Sequence, residues 1–261
     1  MELGIQIPPE VIGFLEVMFL VFLRVVWLVA LTPVFGGERA PKRFKTAVAL
    51  ILAAVLAGAA YRPDAVPSDS GEFVVFAVKE ALIGLMLAVF IRILFDMLAE
   101  VGSFIDQTRG FSQAVSASPF EPGQQLPLNV FHMSLMLALF FSIGGHRMVI
   151  DALGASFEAA PIGRDLPERF LGGEGMRALV GLVADLFVIS LKLAAPVIVA
   201  VFFVDVMLGL TNRVAQQVQV FFLGMTVKGI IALAFLVLTI GYTLDVVLDE
   251  SFGRIATFFG R

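Results

Sequence analysis

The sequence predicts an all-α polytopic membrane protein with about six long hydrophobic helices. Apolar runs of about 18 residues or more recur along the whole 261-residue chain, and each is long enough to cross a bilayer as a helix. Hydrophobic residues make up 59% of the chain and charged residues only 15%, so a soluble protein of this length would lack the polar residues that its surface needs. The short alternating segments that are typical of a membrane β-barrel are absent from the sequence.

Six apolar segments follow one another, and each predicts one helix. The first begins at a Pro-Pro pair, which suits the first turn of a helix. The second follows a basic turn. The fourth follows a polar stretch. The third, fifth and sixth are longer than a bilayer core of about 30 Å requires at about 1.5 Å per residue. The predicted segments are residues 9–34, 44–60, 72–105, 127–143, 176–211 and 217–248.

The three long segments must tilt, break, or project beyond the lipid. We expect breaks at Pro196 in the fifth segment and at Gly224 in the sixth, because helices are most often interrupted at such residues. Projection beyond the bilayer is the alternative. Several helices are therefore expected to be broken or to extend out of the membrane.

The charges of the connections between segments bear on the topology. The connection at 36–45 is rich in Lys and Arg, which by the positive-inside rule places the N-terminus outside. The connection at 144–175 counts against this, because it carries three arginines on the opposite side. The N-terminus lacks the basic region of a cleavable signal peptide, so the first apolar segment is expected to remain in the mature protein.

Residues that could carry chemistry are few. The chain has no cysteine and only two histidines, too few for an all-histidine metal site. Ser112, Ser116 and Ser118 have no plausible base near them in the sequence, and no glycine-rich loop precedes a Lys and a Ser or Thr. We therefore expect no catalytic residue, metal or cofactor. His132 is expected to be a hydrogen-bonded interior residue, and His146 to lie at the C-terminal end of a helix.

Ionisable residues are scattered through the apolar segments, where each needs a partner, a cavity or an interface. Arg92 and Asp96 are four residues apart and can pair on one helix, where Asp106 falls on the same stripe; Asp185 and Lys192 share a face of another helix. These charges could form an ion pathway. Pairing within the protein or with neighbouring subunits is favoured, because the charges are spread over four segments and no internal repeat is found. The candidate interface or intramembrane charges are Arg24, Arg92, Asp96, Asp106, Asp185, Lys192, Asp205, Arg213 and Lys228.

A polar stretch, GFSQAVSASPFEPGQQLP at residues 110–127, separates the third and fourth segments. Its glycines allow unusual backbone angles, and its prolines prevent a continuous helix. Composition alone favours a surface loop that joins two helices.

Four longer stretches follow one another between residues 22 and 229 of the chain. The first two are FLRVVWLVALTPVFGGERAPKRFKTAVALILAAVLA and EVGSFIDQTRGFSQAVSASP. The other two are FFSIGGHRMVIDALGASFEAAPIG and LGLTNRVAQQVQVFFLGMTVKG. In their order and spacing they resemble the FliR/SctT family, the export-gate subunits of flagellar and type III secretion machines. The chain departs from the family's usual Asp-Pro at Ser118-Pro119, and from its usual Ala-Pro-Gln at Ala215-Gln216-Gln217.

The resemblance implies a single non-enzymatic export-gate domain over residues 1–261, present once per gate and packed in a helical multi-subunit assembly. Its implied partners are P-type and Q-type gate subunits (FliP and FliQ, or SctR-like and SctS-like), FlhB/SctU-like and FlhA/SctV-like export components, unfolded secreted proteins and membrane lipid, but not nucleic acid. Its implied location is the bacterial inner membrane, at the flagellar basal body or the injectisome base. Flagellar use is slightly favoured.

The resemblance also changes the interpretation of residues 106–127, because the family has a loop that projects into the central pore and helps to close it at rest. A resting export channel must block ions yet admit an unfolded polypeptide. A plug that can be displaced should therefore be held by many weak contacts. The implied plug residues are Gly110, Phe111, Ser112, Gln113, Pro119, Phe120, Pro122 and Gly123.

Two alternatives remain open at this point. One is a proton-coupled secondary transporter that works through Arg92, Asp96, Asp106, Asp185 and Lys192. The other is a purely structural scaffold subunit.

Overall fold

The computed structural model describes residues 8–37, 40–62, 65–67, 69–111, 126–164, 173–214 and 220–246. In these ranges the chain forms α-helices and short 3₁₀ segments, and no strand. The predicted all-α fold is therefore confirmed. The helices are α1 (Pro9–Leu31), α2 (Lys42–Ala60), α3 (Ser70–Thr108), α4 (Pro127–Ser142), α5 (Gly145–Ala159), α6 (Glu174–Val214) and α7 (Val220–Val246).

Five of the described helices are long and apolar enough to cross a membrane, and the bent pair α4 and α5 makes a sixth if it is counted as one span. This confirms the predicted number of hydrophobic helices. α1 begins at Pro9, as the Pro-Pro pair predicts. It ends where the Thr32 hydroxyl donates to the Leu28 carbonyl at 2.7 Å. The 3₁₀ turn Pro33–Phe35 follows, and Gly36, at a φ of 94°, ends it.

The predicted breaks at Pro196 and Gly224 are wrong. α6 runs without interruption through Pro196, and α7 runs through Gly224. At about 1.5 Å per residue, the 41 residues of α6 extend for about 60 Å, which exceeds the bilayer core. Packing explains both results: Ala194 and Val197 beside the proline are buried, and a Cβ at Gly224 would lie 3.1 Å from Leu208 Cδ1. The glycine therefore allows close packing and does not end the helix.

The region at 144–175, expected to be a connection, contains a helix. α5 begins at Gly145 after Gly144, which takes a φ of 76°, and α5 is bent by 74° from α4. His146 therefore lies in the first turn of a helix, and its predicted place at a C-terminal end is wrong. The Gly-Gly pair signals both the end of α4 and the start of α5, and only the first was predicted.

The chain divides into two compact units, and α3 contributes to both. The first unit comprises Met1–Ile93 and Phe140–Val180. The second comprises Leu94–Leu139 and Gly181–Arg261.

In the first unit, α1 and α2 pack together through small side chains. Ala49, Ala53 and Ala57 recur every four residues along one face of α2 and are fully buried. The rings of Phe14 and Tyr61 meet edge to face with their centroids 5.8 Å apart. Much of the remaining surface of α2 is apolar and exposed, which suits a helix that faces lipid or another protein.

In the second unit, the C-terminal part of α3 packs with α4, α6 and α7. The Ser190 hydroxyl on α6 donates to the Met97 carbonyl on α3 at 2.8 Å. The rings of Phe104 and Phe187 meet edge to face at 5.7 Å. A small pocket is lined by side chains from all four helices, among them Val101, His132, Leu193 and Leu236.

Gly84 provides a test of the close approach of α3 to α1. A Cβ at this position would lie 2.8 Å from the Cα and from the carbonyl carbon of Arg24, closer than side chains pack against a backbone. Gly84→Ala is expected to lower the free energy of unfolding by about 1–3 kcal/mol, because the helices must move apart. The measurement is thermal unfolding of the protein in detergent.

The matched control is Gly58→Ala, because a Cβ at Gly58 meets nothing within 4 Å. This control should leave stability unchanged or raise it by up to about 1 kcal/mol, since alanine is the better helix former. If the two variants behaved alike, the close approach at Gly84 would be refuted.

Candidate functional site

Arg24 and Glu80 form an ion pair deep in the first unit. Arg24 Nε lies 2.5 Å from Glu80 Oε2, and both side chains are 0% exposed. Arg24 lies on α1 and Glu80 on α3, both of which are long and apolar enough to span a membrane. A charge without a partner at such a position would be strongly disfavoured. The pair therefore joins α1 to α3.

The remaining donors of Arg24 are satisfied by α5 and the turn that follows it. Nη1 donates to Ser156 Oγ at 3.1 Å, and Nη2 donates to the carbonyl of Ala160 at 2.8 Å. The ring of Phe157 lies against the guanidinium, with its centroid 4.1 Å from Arg24 Cζ. One planar guanidinium thus connects α1, α3 and α5. The single ammonium group of a lysine could not reproduce this arrangement.

Lys79 completes this ionic cluster. Its Nζ lies 3.2 Å from Glu80 Oε1, an oxygen that accepts no hydrogen bond from the described residues. Nζ also donates to the carbonyls of Pro161, at 3.0 Å, and Arg164, at 2.7 Å. The turn after α5 is therefore held by a buried cation. Sequence reasoning left Lys79 and Glu80 out of the candidate set, although adjacent opposite charges within an apolar helix were a signal that could have found them.

Among the described residues, the charges of the ionic cluster face one another and oxygens of the protein. Its carboxylate faces two cations, and the donors of those cations reach carbonyl and hydroxyl oxygens. No group of three potential metal ligands is found among the described residues. The arrangement suits a rigid internal tie between helices.

Asp106 joins the end of α3 to the start of α4 in the second unit, and its side chain is fully buried. Oδ2 accepts a hydrogen bond from the backbone N–H of Leu128 at 2.8 Å, and Oδ1 accepts one from Arg109 Nε at 2.8 Å. α4 needs such an acceptor, because Leu126 and Pro127 at its start have no side chain that can cap its free N–H groups. A carboxylate at a helix N-terminus is also favoured by the helix dipole.

Two further contacts hold α4 against α3. Asn129 Nδ2 donates to the carbonyl of Ala99 at 3.1 Å and to Ser103 Oγ at 2.8 Å. Gly102 lets the backbone of α4 approach closely, because a Cβ there would lie 2.5 Å from Asn129 N. The α3–α4 joint is defined here as Gly102, Ser103, Asp106, Leu128 and Asn129.

Arg109 also contacts Phe111, the first aromatic residue of the implied plug. Arg109 Cζ lies 4.6 Å from the centroid of the Phe111 ring. Gly110, between them, takes a φ of 79°, which turns the chain away from the axis of α3. The other implied plug residues lie outside the described part of the chain: Ser112, Gln113, Pro119, Phe120, Pro122 and Gly123.

The remaining candidate charges lie in different surroundings. Asp205 on α6 and Lys228 on α7 form an ion pair. Arg92 Nη1 donates to the carbonyl of Leu31 at 3.3 Å. The side chain of Asp96 is half-buried, whereas those of Asp185, Lys192 and Arg213 on α6 are exposed.

His132 is buried and donates from Nδ1 to the carbonyl of Leu128, one turn earlier in α4, at 2.7 Å. This confirms the prediction of a hydrogen-bonded interior histidine.

Comparison with known proteins shows which family the chain belongs to. The family model of "Bacterial export proteins, family 1" matches residues 15–252. The chain belongs to this family. Among similar proteins, this export protein is 28% identical over 233 residues to the flagellar biosynthetic protein FliR of Bacillus subtilis, with 88% of each chain covered. It is 29% identical over 213 residues to FliR of Escherichia coli, with 82% of this chain and 80% of the relative covered.

A type III secretion relative matches a shorter part of the export protein. The Yop proteins translocation protein T of Yersinia pestis is 28% identical over 160 residues, which are 61% of this chain and 60% of the relative. The resemblance to the FliR/SctT family is thereby confirmed. The export protein is an integral membrane component of a flagellar or type III export apparatus.

The ionic cluster can be tested by removing one charge. Arg24→Gln is expected to lower the free energy of unfolding by about 3–5 kcal/mol, because the buried Glu80 loses its main partner. Adding Glu80→Gln should recover part of this loss, since the uncompensated carboxylate is then removed. Thermal unfolding in detergent measures both effects.

Arg147→Gln is the control, because Arg147 is an exposed arginine of the same unit. We expect it to change stability by no more than about 0.5 kcal/mol. A similar loss from Arg24→Gln and Arg147→Gln would contradict the importance of the cluster.

Proposed function

We propose that this export protein is a subunit of the flagellar export gate, and that it helps to form and close the channel for unfolded secreted proteins in the bacterial inner membrane. The observation that carries the proposal is the family match over residues 15–252. Flagellar use is favoured because the alignment covers 88% of the Bacillus subtilis relative and 80% of the Escherichia coli relative, but 60% of the Yersinia pestis translocation protein.

The segment at 106–127 is the proposed plug of the channel. The ends of this segment support the role, because Asp106 and Leu128 hold its two stems together at 2.8 Å. Gly110 interrupts the helical path at the beginning of the segment, so the chain is free to leave α3 there. Between these stems the sequence offers Ser and Gln, which can satisfy backbone groups in a wet lumen, and Phe, which can fill a constriction.

The exposed charges on α6 are proposed to face partner subunits. Lys192 is exposed within the apolar span Val183–Val214, where contact with lipid would be costly. The proposed partners are the P-type and Q-type gate subunits, together with FlhB-like and FlhA-like export components. The energy for transport is proposed to come from those components.

The alternative of a proton-coupled transporter has no observation in its favour. The buried carboxylates of Glu80 and Asp106 are occupied by arginine, lysine or backbone donors. The relatives, moreover, carry the names of export proteins.

Deletion of residues 112–124 tests the plug. In complexes assembled from the full set of gate subunits, the deletion is expected to let small cations leak across the membrane at rest, because the constriction loses its filling. Ion flux into vesicles that contain the complex is the measurement. A transport-dead variant without a leak would favour the transporter, and a variant with normal export and no leak would favour a scaffold.

A same-length replacement of residues 112–124 by Gly and Ser serves as the control for the shortened connection. It should also leak, because it lacks the bulky and proline-restricted residues of the plug. If only the deletion leaked, chain length and not plug chemistry would be the cause.

Lys192→Leu tests the proposed contact of α6 with a partner subunit. We expect the yield of assembled complex to fall by about tenfold or more, because a carboxylate of the partner subunit that pairs with Lys192 would be left buried without a cation. Lys192→Arg keeps the charge and should assemble normally. If Lys192 faces lipid, Lys192→Leu would instead assemble as well as the unaltered protein, which co-purification with the partner subunits would reveal.

A further inference from the structure

Asp106 is the charged link between α3, α4 and the first residues beyond α3. Its two oxygens serve different partners: Oδ2 accepts from the N–H of Leu128, and Oδ1 accepts from Arg109. The other contacts of the α3–α4 joint, made by Gly102 and Asn129, are close packing and neutral hydrogen bonds. Asp106 therefore provides the charge-dependent part of the joint.

Arg109 contacts both Asp106 and Phe111, so it connects the carboxylate to the aromatic ring. Its guanidinium contacts the Asp106 carboxylate and also lies over the Phe111 ring, 4.6 Å from the centroid. The Arg109 side chain is 11% exposed, whereas that of Asp106 is fully buried. The orientation of Phe111 thus depends on an ion pair in which Asp106 is fully buried and Arg109 is partly exposed.

The acidic group also replaces a missing local cap. Pro127 has no N–H, so Leu128 has the first N–H of α4 that needs an acceptor, and Leu126 cannot supply one from its side chain. The cap comes instead from Asp106, 22 residues earlier in the chain. The start of α4 and the position of Phe111 are consequently set by the same carboxylate.

We propose that Asp106 is a positioning residue of the gate: together with Arg109 it holds Phe111 and the start of α4 in the resting arrangement, and release of the Asp106–Arg109 pair permits opening. This inference rests on the proposed gating function. A purely structural cap would also stabilise α4, but it would not link Arg109 to the ion permeability of the assembled gate.

The first test measures hydrogen exchange at the Leu128 amide in the assembled complex. Asp106→Ala is expected to speed this exchange by about tenfold, because a charge-assisted hydrogen bond is lost. Arg109→Gln should change it little, since Asp106 still accepts from Leu128. Unchanged exchange in Asp106→Ala would overturn the proposed role of Asp106 at the joint.

The second test measures the resting leak of small cations in vesicles that contain the complex. Asp106→Ala and Arg109→Gln should both raise the leak several-fold, whereas Arg109→Lys, which keeps the charge, should leak less than Arg109→Gln. Asp151→Asn and Ser134→Ala are the controls, because Asp151 is exposed and the exposed Ser134 hydroxyl donates to the Val130 carbonyl of its own helix. Neither control should leak.

The deletion of residues 112–124 separates failure of this inference from failure of the proposed function. If the deletion leaks but Arg109→Gln does not, the positioning role is refuted and the gate stands. If the deletion does not leak, the gate proposal fails, and the exchange rate at Leu128 still decides whether Asp106 holds the joint. Should Asp106→Ala fail to assemble, Arg109→Gln, at a less buried position, carries the leak test. Asp106→Leu, which has a side chain of similar length but no hydrogen-bond acceptor, then carries the exchange test.

Discussion

The need to compensate buried charge within apolar helices organises the first unit. Arg24 and Glu80 lie on helices of membrane-spanning length with no exposed side-chain surface, so each requires the other. Their contact determines where α1 meets α3, and the remaining donors of Arg24 determine where α5 lies against both. Gly84 makes the approach possible, because any larger residue would collide with the backbone of Arg24. The ionic cluster therefore depends on the close approach of α1 and α3 that Gly84 allows.

The same requirement has a different consequence in the second unit. Asp106 is as deeply buried as Glu80, but its cation comes from Arg109 at the end of α3, near the surface. Whereas the Arg24 pair is enclosed by α5 and carbonyl oxygens, the Asp106 pair borders the stretch that connects α3 to α4. The same residue types thus form one ion pair that is enclosed by the fold and one that lies beside a connection between helices. The difference lies in how far each pair is from a helix end.

Long continuous helices suit a protein that works inside a larger assembly. α3 and α6 contain 39 and 41 residues, more than a bilayer core requires, and α6 presents exposed charges among exposed apolar side chains. Neither lipid nor water suits such a surface along its whole length. Membership of the bacterial export family fits this combination, because a component of an export apparatus works together with other export components.

The sequence by itself determined the helical membrane class, the number of apolar helices and the family, because hydrophobic length and motif order are properties of local sequence. It also indicated that His132 is an interior residue. It could not decide whether Pro196 and Gly224 break their helices, since the packing of Ala194, Val197 and Leu208 around them outweighs their local tendency. Only the tertiary structure showed that Glu80 pairs with Arg24, 56 residues away, and that Asp106 caps a helix 22 residues later. The strength of a contact between charges depends on their distance and burial in the folded chain, and neither quantity can be read from the sequence.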